Sequence, residues 1–292
     1  MSKSAAGYLG SYRLLNVVNT GHHCQVWQAY HDGRQLFVAV KSLLEKFRAD
    51  KEHIGYLKRE HAIGSKLTHE RLIHVFEFGI DGDLAFLALE WFPSVNMKNR
   101  IRRGVELIAN YVPKIVAEAA EGLAAFNARG WVHRDIKPEN FLVNDAGDVK
   151  LIDYSLAKRR PNVLTRVFHG RAKIQGTRSY MSPEQIRGEA LDQRADIYSF
   201  ACTLFELVGG RPPFTGATTN ELFNKHLKSP PPPLELLNDD VHPEFSQLVR
   251  WGLAKDRDKR PATSEEYCQR LSKVPVFRRP PQFARRAVEP AE

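Results

Sequence analysis

Cysteine is scarce in this chain. Cys24, Cys202 and Cys268 are three in 292 residues, odd in number and far apart, which excludes a disulfide scaffold and a clustered thiolate metal site. Free thiols point to a reducing compartment, the cytoplasm or the cytoplasmic domain of a larger protein. Long apolar runs are missing too: no 18-residue hydrophobic segment and no signal-like N-terminus occur, so these residues are not expected to cross a membrane. Zinc-finger spacing, an RNA-binding aromatic motif and a long polybasic run are all absent. The net charge of +9, from 43 Lys and Arg against 34 Asp and Glu, therefore reads as a basic soluble surface, and no nucleic acid partner is expected. No internal repeat is evident.

What is present is enough for a large folded unit. The chain is 42% hydrophobic, and its length allows one large domain or two lobes. Residues 12–18, 25–30 and 36–42 read as short strands, with Asp32-Gly33 a hairpin turn. Two further apolar runs at about 73–78 and 84–90 flank Asp81-Gly82-Asp83, and together these segments predict a five-stranded antiparallel sheet. Ile54, Leu57, His61, Gly64 and Leu67 share one side of a helix over 51–67. From residue 94 onward helical periodicity takes over: Ile115, Ala119, Leu123 and Phe126 predict one helix, and Ile197, Phe200, Leu204 and Leu207 a buried second. Thr263 with Glu266 forms a capping-box pattern. Pro230-Pro231-Pro232-Pro233 is a stiff connection. The class is α+β.

The chemistry concentrates in His133-Arg134-Asp135-Ile136-Lys137-Pro138-Glu139-Asn140, followed by Asp153-Tyr154-Ser155. Two carboxylates, a lysine and an amide could hold a hydroxyl, a phosphate and magnesium together, which makes phosphoryl transfer the leading reading. The first run matches H-R-D-x-x-x-x-N residue for residue, Val38-Ala39-Val40-Lys41 precedes it, and Ser182-Pro183-Glu184 follows where A-P-E is usual. On these blocks the chain resembles the eukaryotic-like protein kinase family of serine/threonine type.

That resemblance implies a bilobal fold over 12–272, with a sheet-rich N-lobe of about 12–92 carrying one main helix, and a mainly helical C-lobe of about 93–272. The remaining 273–292 is a basic Pro/Arg-containing tail, disordered or a linker. The implied activity is transfer of the γ-phosphate of ATP, with Mg2+, to a protein serine or threonine. Asp135 is then the acid that orients the hydroxyl and Lys137 the cation on the transferred phosphate. Lys41 contacts the α and β phosphates, oriented by Glu60, while Asn140 and Asp153 bind magnesium. Thr177 touches the catalytic aspartate and lysine, and with Lys137 it favours serine or threonine substrates. The nucleotide roof corresponds to Asn19, Thr20, Gly21, Cys24 and Val26, with Ala39 beneath. Leu89, Glu90, Trp91 and Phe92 resemble the hinge whose backbone binds adenine. His133 packs structurally, Arg134 serves the activation segment, Glu184 and Arg260 form a buried pair, and Asp196 supports the catalytic loop.

The departures from the family pattern are local. Only the middle glycine of G-x-G-x-x-G survives, as Gly21, and Cys24 adds bulk where close approach is usual. Asp-Phe-Gly appears as Asp153-Tyr154-Ser155: the Tyr154 hydroxyl needs a partner if buried, and Ser155 loses glycine's backbone freedom. Between Ser155 and Thr177 the only hydroxyl residue is Thr165. These features carry the alternative of a pseudokinase, an interaction module binding nucleotide weakly or not at all. Arg159, Arg160, Arg166, Arg171 and Lys173 either form a solvated basic loop or receive an acidic partner or substrate.

Overall fold

The computed structural model describes residues 7–104, 107–160 and 175–279. Thr165, Arg166, Arg171, Lys173 and residues 280–292 of the expected tail lie outside the described residues. The chain divides into two compact units, residues 1–93 with 151–157, and residues 94–150 with 158–292.

The first unit is built on a six-stranded antiparallel sheet. Its strands are β1 (Tyr8–Leu9), β2 (Tyr12–Thr20), β3 (Cys24–His31), β4 (Leu36–Leu43), β5 (Val75–Asp81) and β6 (Leu84–Glu90), ordered β1-β2-β3-β4-β6-β5. The five expected strands are all there; β1 is the addition, reached through a turn at Gly10 with φ +58°. Strand alternation explains why the sheet closes. Ala29, Val38, Val40, Phe86 and Ala88 point to one face and bury with Leu9 and Tyr12, leaving Lys41 and its opposite partners on the other face.

The turns differ from their sequence reading in one place. Asp32-Gly33 does not make a two-residue hairpin: Asp32–Arg34 form a single 3-10 turn, and Gln35, not Gly33, takes the left-handed conformation at φ 53°. His31 Nδ1 accepts the Arg34 amide at 3.2 Å, satisfying a donor that a tight turn would have paired across strands. Gly82-Asp83 does join β5 and β6 in two residues, with Gly82 at φ +59°. Helix α1 (Lys51–Gly64) starts at Asp50, whose carboxylate accepts the Glu52 and His53 amides at 2.8 and 3.2 Å.

The second unit is mainly helical. Strand β7 (Val95–Asn96) leads into α2 (Met97–Arg103), and α3 (Val112–Ala128) follows. Strand β8 (Trp131–Val132) and strands β9 (Phe141–Val143) and β10 (Val149–Leu151) carry the loops, β9 standing between β10 and β7 in a three-stranded sheet. Strand β11 (Lys158–Arg159) pairs with β8. Helices α4 (Pro183–Arg187), α5 (Gln193–Gly209), α6 (Thr219–Lys228), α7 (Pro243–Gly252) and α8 (Ser264–Leu271) complete it. The periodic residues chosen from sequence are the core: Ile115, Ala119, Leu123 and Phe126 on α3, and Ile197, Phe200, Leu204 and Leu207 on α5, are all buried. Each of the Ile, Leu and Phe side chains among them contributes roughly 2 kcal/mol of apolar transfer.

Two caps refine the reading. At Thr263 the hydroxyl accepts the Glu266 amide at 3.0 Å, but the Glu266 carboxylate reaches Ala262 N at 2.9 Å, one residue further back than a capping box requires. Ser182 and Gln185 make the full reciprocal box instead. The first residues of the expected tail are folded rather than loose. His242 N donates to Val276 O at 2.8 Å, Phe277 bridges Val241, and Val276 is buried.

Candidate active site

In the first unit, strand register brings one set of predicted residues together. Val26 stands opposite Lys41 and Ala39 opposite Leu89, so Cys24, Val26, Ala39, Lys41 and Leu89 line a single face of the sheet. Lys41 Nζ donates to Glu60 Oε2 at 2.7 Å and lies 3.5 Å from Asp153 Oδ1. Glu60 reaches the lysine from the buried side of α1 and is itself 1% exposed. The two carboxylates raise the Lys41 ammonium above its ordinary range despite burial, so the lysine is charged at every physiological pH. Burial pushes the Glu60 carboxyl up to about 7, with Lys41 pulling against it.

The roof is a β2–β3 hairpin. Asn19 pairs with Val26 and Thr20 with Gln25, and Gly21 N donates to Cys24 O at 2.9 Å, closing the tip. Gly21 sits in ordinary backbone space, and a Cβ there would meet only the Cys24 carbonyl, at 3.5 Å. Loss of the flanking glycines is therefore compatible with a regular hairpin. The tip is anchored by a residue that sequence reasoning passed over: the His23 ring lies 4.7 Å from Phe47 and 4.4 Å from His53 on α1. Burial raises the Cys24 thiol above its usual range even with Lys41 beside it, so the thiol stays protonated. At the hinge segment Glu90, Trp91 and Phe92 are half-buried, and Glu90 N donates to His74 O at 2.9 Å.

Asp153 adopts φ 67°, a left-handed conformation that strains a non-glycine residue. Its Oδ1 accepts the Ser155 amide at 3.4 Å, and Arg59 Nη1 donates to Ser155 O at 3.3 Å. Tyr154 is fully buried, and its hydroxyl finds the partner that burial demands: Ile73 O and Leu151 O both lie at 3.0 Å.

In the second unit the catalytic-loop residues form a closed polar network. Asp135 Oδ1 accepts the Thr177 amide at 2.8 Å and the Thr177 hydroxyl at 2.9 Å. Lys137 Nζ donates to Thr177 Oγ1 and lies against Asp135 Oδ2, both at 2.7 Å. Asn140 Nδ2 donates to Asp135 O at 2.7 Å, with a longer 3.4 Å contact to Oδ2, which leaves Oδ1 of the amide as its acceptor. Gly176 is required here: at φ +118° a Cβ would come within 2.9 Å of Arg134 O.

The loop is hung from α5. Asp196 Oδ2 accepts His133 N at 2.7 Å and Asn127 Nδ2 at 2.8 Å, and Oδ1 accepts Arg134 N at 2.8 Å. Burial raises the Asp196 carboxyl, while these donors and His133 favour its charged form. His133 is buried edge-on to Phe126 at 5.4 Å. Arg134 is held at φ 72°, with its carbonyl taken by Gln185 Nε2 at 2.7 Å. Arg260 meets Glu184 through two bonds of 2.7 and 2.9 Å, both side chains buried. Sequence reasoning missed Asn127, Gln185 and the buried Lys98–Glu206–Tyr180 network, because their partners lie far along the chain. Among the described residues no group of three or more His, Cys, Asp or Glu side chains could hold a metal. No described helix is long and apolar enough to cross a membrane.

A family model described as protein kinase domain matches residues 12–272. The chain is 30% identical over 278 residues to the serine/threonine-protein kinase PknA of Mycobacterium tuberculosis, an alignment spanning 94% of this chain and 63% of that protein. It is 31% identical over 267 residues to the serine/threonine-protein kinase PknB of Mycolicibacterium smegmatis, spanning 90% and 43%. A probable serine/threonine-protein kinase of Clostridium acetobutylicum is 27% identical over 263 residues, spanning 90% and 40%. The chain thus spans less than two thirds of the length of these relatives.

Proposed function

Because the chain belongs to the protein kinase family, we propose that it transfers the γ-phosphate of ATP to serine or threonine hydroxyls of proteins. The observation that carries this reading is the Asp135–Lys137–Thr177 network, in which the Asp135 carboxylate is held by the Thr177 amide and hydroxyl and by Lys137.

Asp135 acts as the acceptor for the hydroxyl proton. Of its four contacts, the 3.4 Å approach of Asn140 is the weakest, so Oδ2 is where an incoming hydroxyl finds a free lone pair. Thr177 and Lys137 fix the carboxylate's rotation, which supplies the orientation that phosphoryl transfer needs. Lys137 brings positive charge to the transferred group, and Lys41, held charged by Glu60 and Asp153, brings a second to the α and β phosphates.

The donors fit magnesium. Asp153 offers a carboxylate in the first unit, Asn140 an amide oxygen in the second, and neither is accompanied by a histidine or thiolate cluster among the described residues. Each is a hard oxygen donor in its own unit, and magnesium held by either would neutralise charge on the phosphates. Asn140 would present its oxygen because its nitrogen is committed to Asp135. Cys24, Val26, Ala39 and Leu89 would cover the nucleotide base and sugar as the apolar part of one sheet face, with the backbone of 89–92 reading the base edge.

The test is incubation with γ-labelled ATP and magnesium, with a general protein substrate and the chain itself as acceptors, followed by phosphoamino-acid identification. Phosphoserine or phosphothreonine formation supports the reading. Folded protein that transfers nothing would instead leave a noncatalytic interaction module.

A further inference from the structure

The chain from 154 to 183 contains seven lysines and arginines and not one aspartate or glutamate. Within it, Thr177 is pinned to Asp135 through both its amide and its hydroxyl, and the next residue is Arg178. Consecutive Cα atoms are about 3.8 Å apart, so the Arg178 side chain starts one peptide step from the residue that orients the catalytic acid.

Arg178 is exposed, and its position is nonetheless fixed. Nη1 donates to Thr219 Oγ1 at 2.9 Å, at the first residue of α6. A hydroxyl partner orients a guanidinium without discharging it. No described carboxylate lies within ion-pair distance of Arg178, and the nearby acids are engaged elsewhere: Asp135 with Lys137, Glu184 with Arg260, and Glu221 with Lys225. Arg159, by contrast, is spent on the fold, its guanidinium 4.2 Å from the Trp131 ring and bonded to Arg129 O. Arg178 is thus a positioned, uncompensated cation on the residue that follows the acceptor-orienting Thr177.

We propose that Arg178 selects protein substrates carrying an aspartate or glutamate within two residues of the acceptor hydroxyl. This rests on the phosphoryl-transfer reading and narrows it to acidic acceptor sequences. A peptide that presents a serine to Asp135 brings its flanking side chains within reach of a long arginine. Arg178 keeps free N–H donors that a carboxylate accepts with charge assistance. A lysine in the same place meets like charge.

The experiment compares serine peptides carrying Glu, Ala or Lys at each position from two before to two after the acceptor. With the unaltered chain, the best Glu peptide should exceed its Ala counterpart in kcat/KM by about fivefold, the scale of one exposed charge pair, and the advantage should shrink as salt is added. In Arg178→Gln the Glu-to-Ala ratio falls to about one, and in Arg178→Glu the preference passes to Lys. Thr219→Val keeps the charge but frees it, giving an intermediate ratio. The same peptides with alanine replacing the acceptor serine, read by fluorescence anisotropy, should rank identically in affinity. Equal binding and turnover of Glu and Ala peptides, or a Glu preference that survives Arg178→Glu, overturns the proposal. Arg178-dependent binding of acidic peptides without any transfer would sink the kinase reading and leave the selectivity standing.

Discussion

Replacing Tyr154 with phenylalanine isolates a single atom whose contribution the structure allows to be worked out. The ring is fully buried and would stay in place; only the hydroxyl, 3.0 Å from Ile73 O and from Leu151 O, is removed. Leu151 O keeps a second donor, the Ile73 amide at 3.0 Å, so the loss falls mainly on the Ile73 carbonyl. One net hydrogen bond plus partial desolvation of one carbonyl amounts to about 1–2 kcal/mol. For a chain of this size that lowers the melting temperature by about 2–8 °C, measurable by scanning calorimetry. Phosphate transfer should be little changed, since no charged group of the site is touched. A Tyr154→Phe protein as stable as the parent, or more so, would refute the claim that the hydroxyl is a net stabilising bond.

Other consequences can be measured separately. Burial, aided by Lys255, pushes the His226 imidazole down to about 4 from its ordinary 6.5. The folded state therefore binds fewer protons than the unfolded state in that window, and stability should fall by roughly 3 kcal/mol as pH drops from 6.5 to 4, a slope that His226→Phe removes in urea titrations. For Glu60 the sign is opposite: its folded carboxyl holds a proton up to about 7, so its contribution to stability declines as pH rises from its ordinary 4.5 through that value. Transfer, which needs the ionised carboxylate beside Lys41, should climb over the same interval, and Glu60→Gln should erase that limb of the pH–rate profile. Cys24→Gly opens space over the sheet face that carries Lys41 and should tighten nucleotide binding by calorimetry; an unchanged dissociation constant would show that the side chain is no obstruction.

Much of the fold was legible because its signals are local. Five strands could be read from short apolar segments bounded by turn residues, and β6, buried at every position from Ala85 to Leu89, reads as a continuous apolar run. Strand β1 escaped because two residues carry no period, and its turn depends on Gly10 lying against Phe86, a contact across 76 positions. The hairpin turn at Asp32-Gly33 was legible but its four-residue form was not, because His31 supplies a side-chain acceptor that no turn dipeptide reveals. Asp135, Lys137 and Asn140 stood out because their run resembles the catalytic loop of the protein kinase family. Asn127, which helps to hold them, did not: it joins Asp196, Trp131 O and Ser264, the last from 137 positions away, and Ser264 is an ordinary helix-start residue in sequence. Long-range polar networks leave no periodic trace, so of the loop's supports only Asp196 and the Glu184–Arg260 pair, implied by the family resemblance, were named in advance.

The central claim is that Asp135 orients the acceptor hydroxyl for phosphate transfer. It is tested most directly by comparing magnesium-dependent transfer from ATP by the unaltered chain and by Asp135→Asn, with melting curves to show that both are folded. The account predicts transfer onto serine or threonine that falls by about 100-fold or more in the variant. Equal transfer by two folded proteins would contradict it.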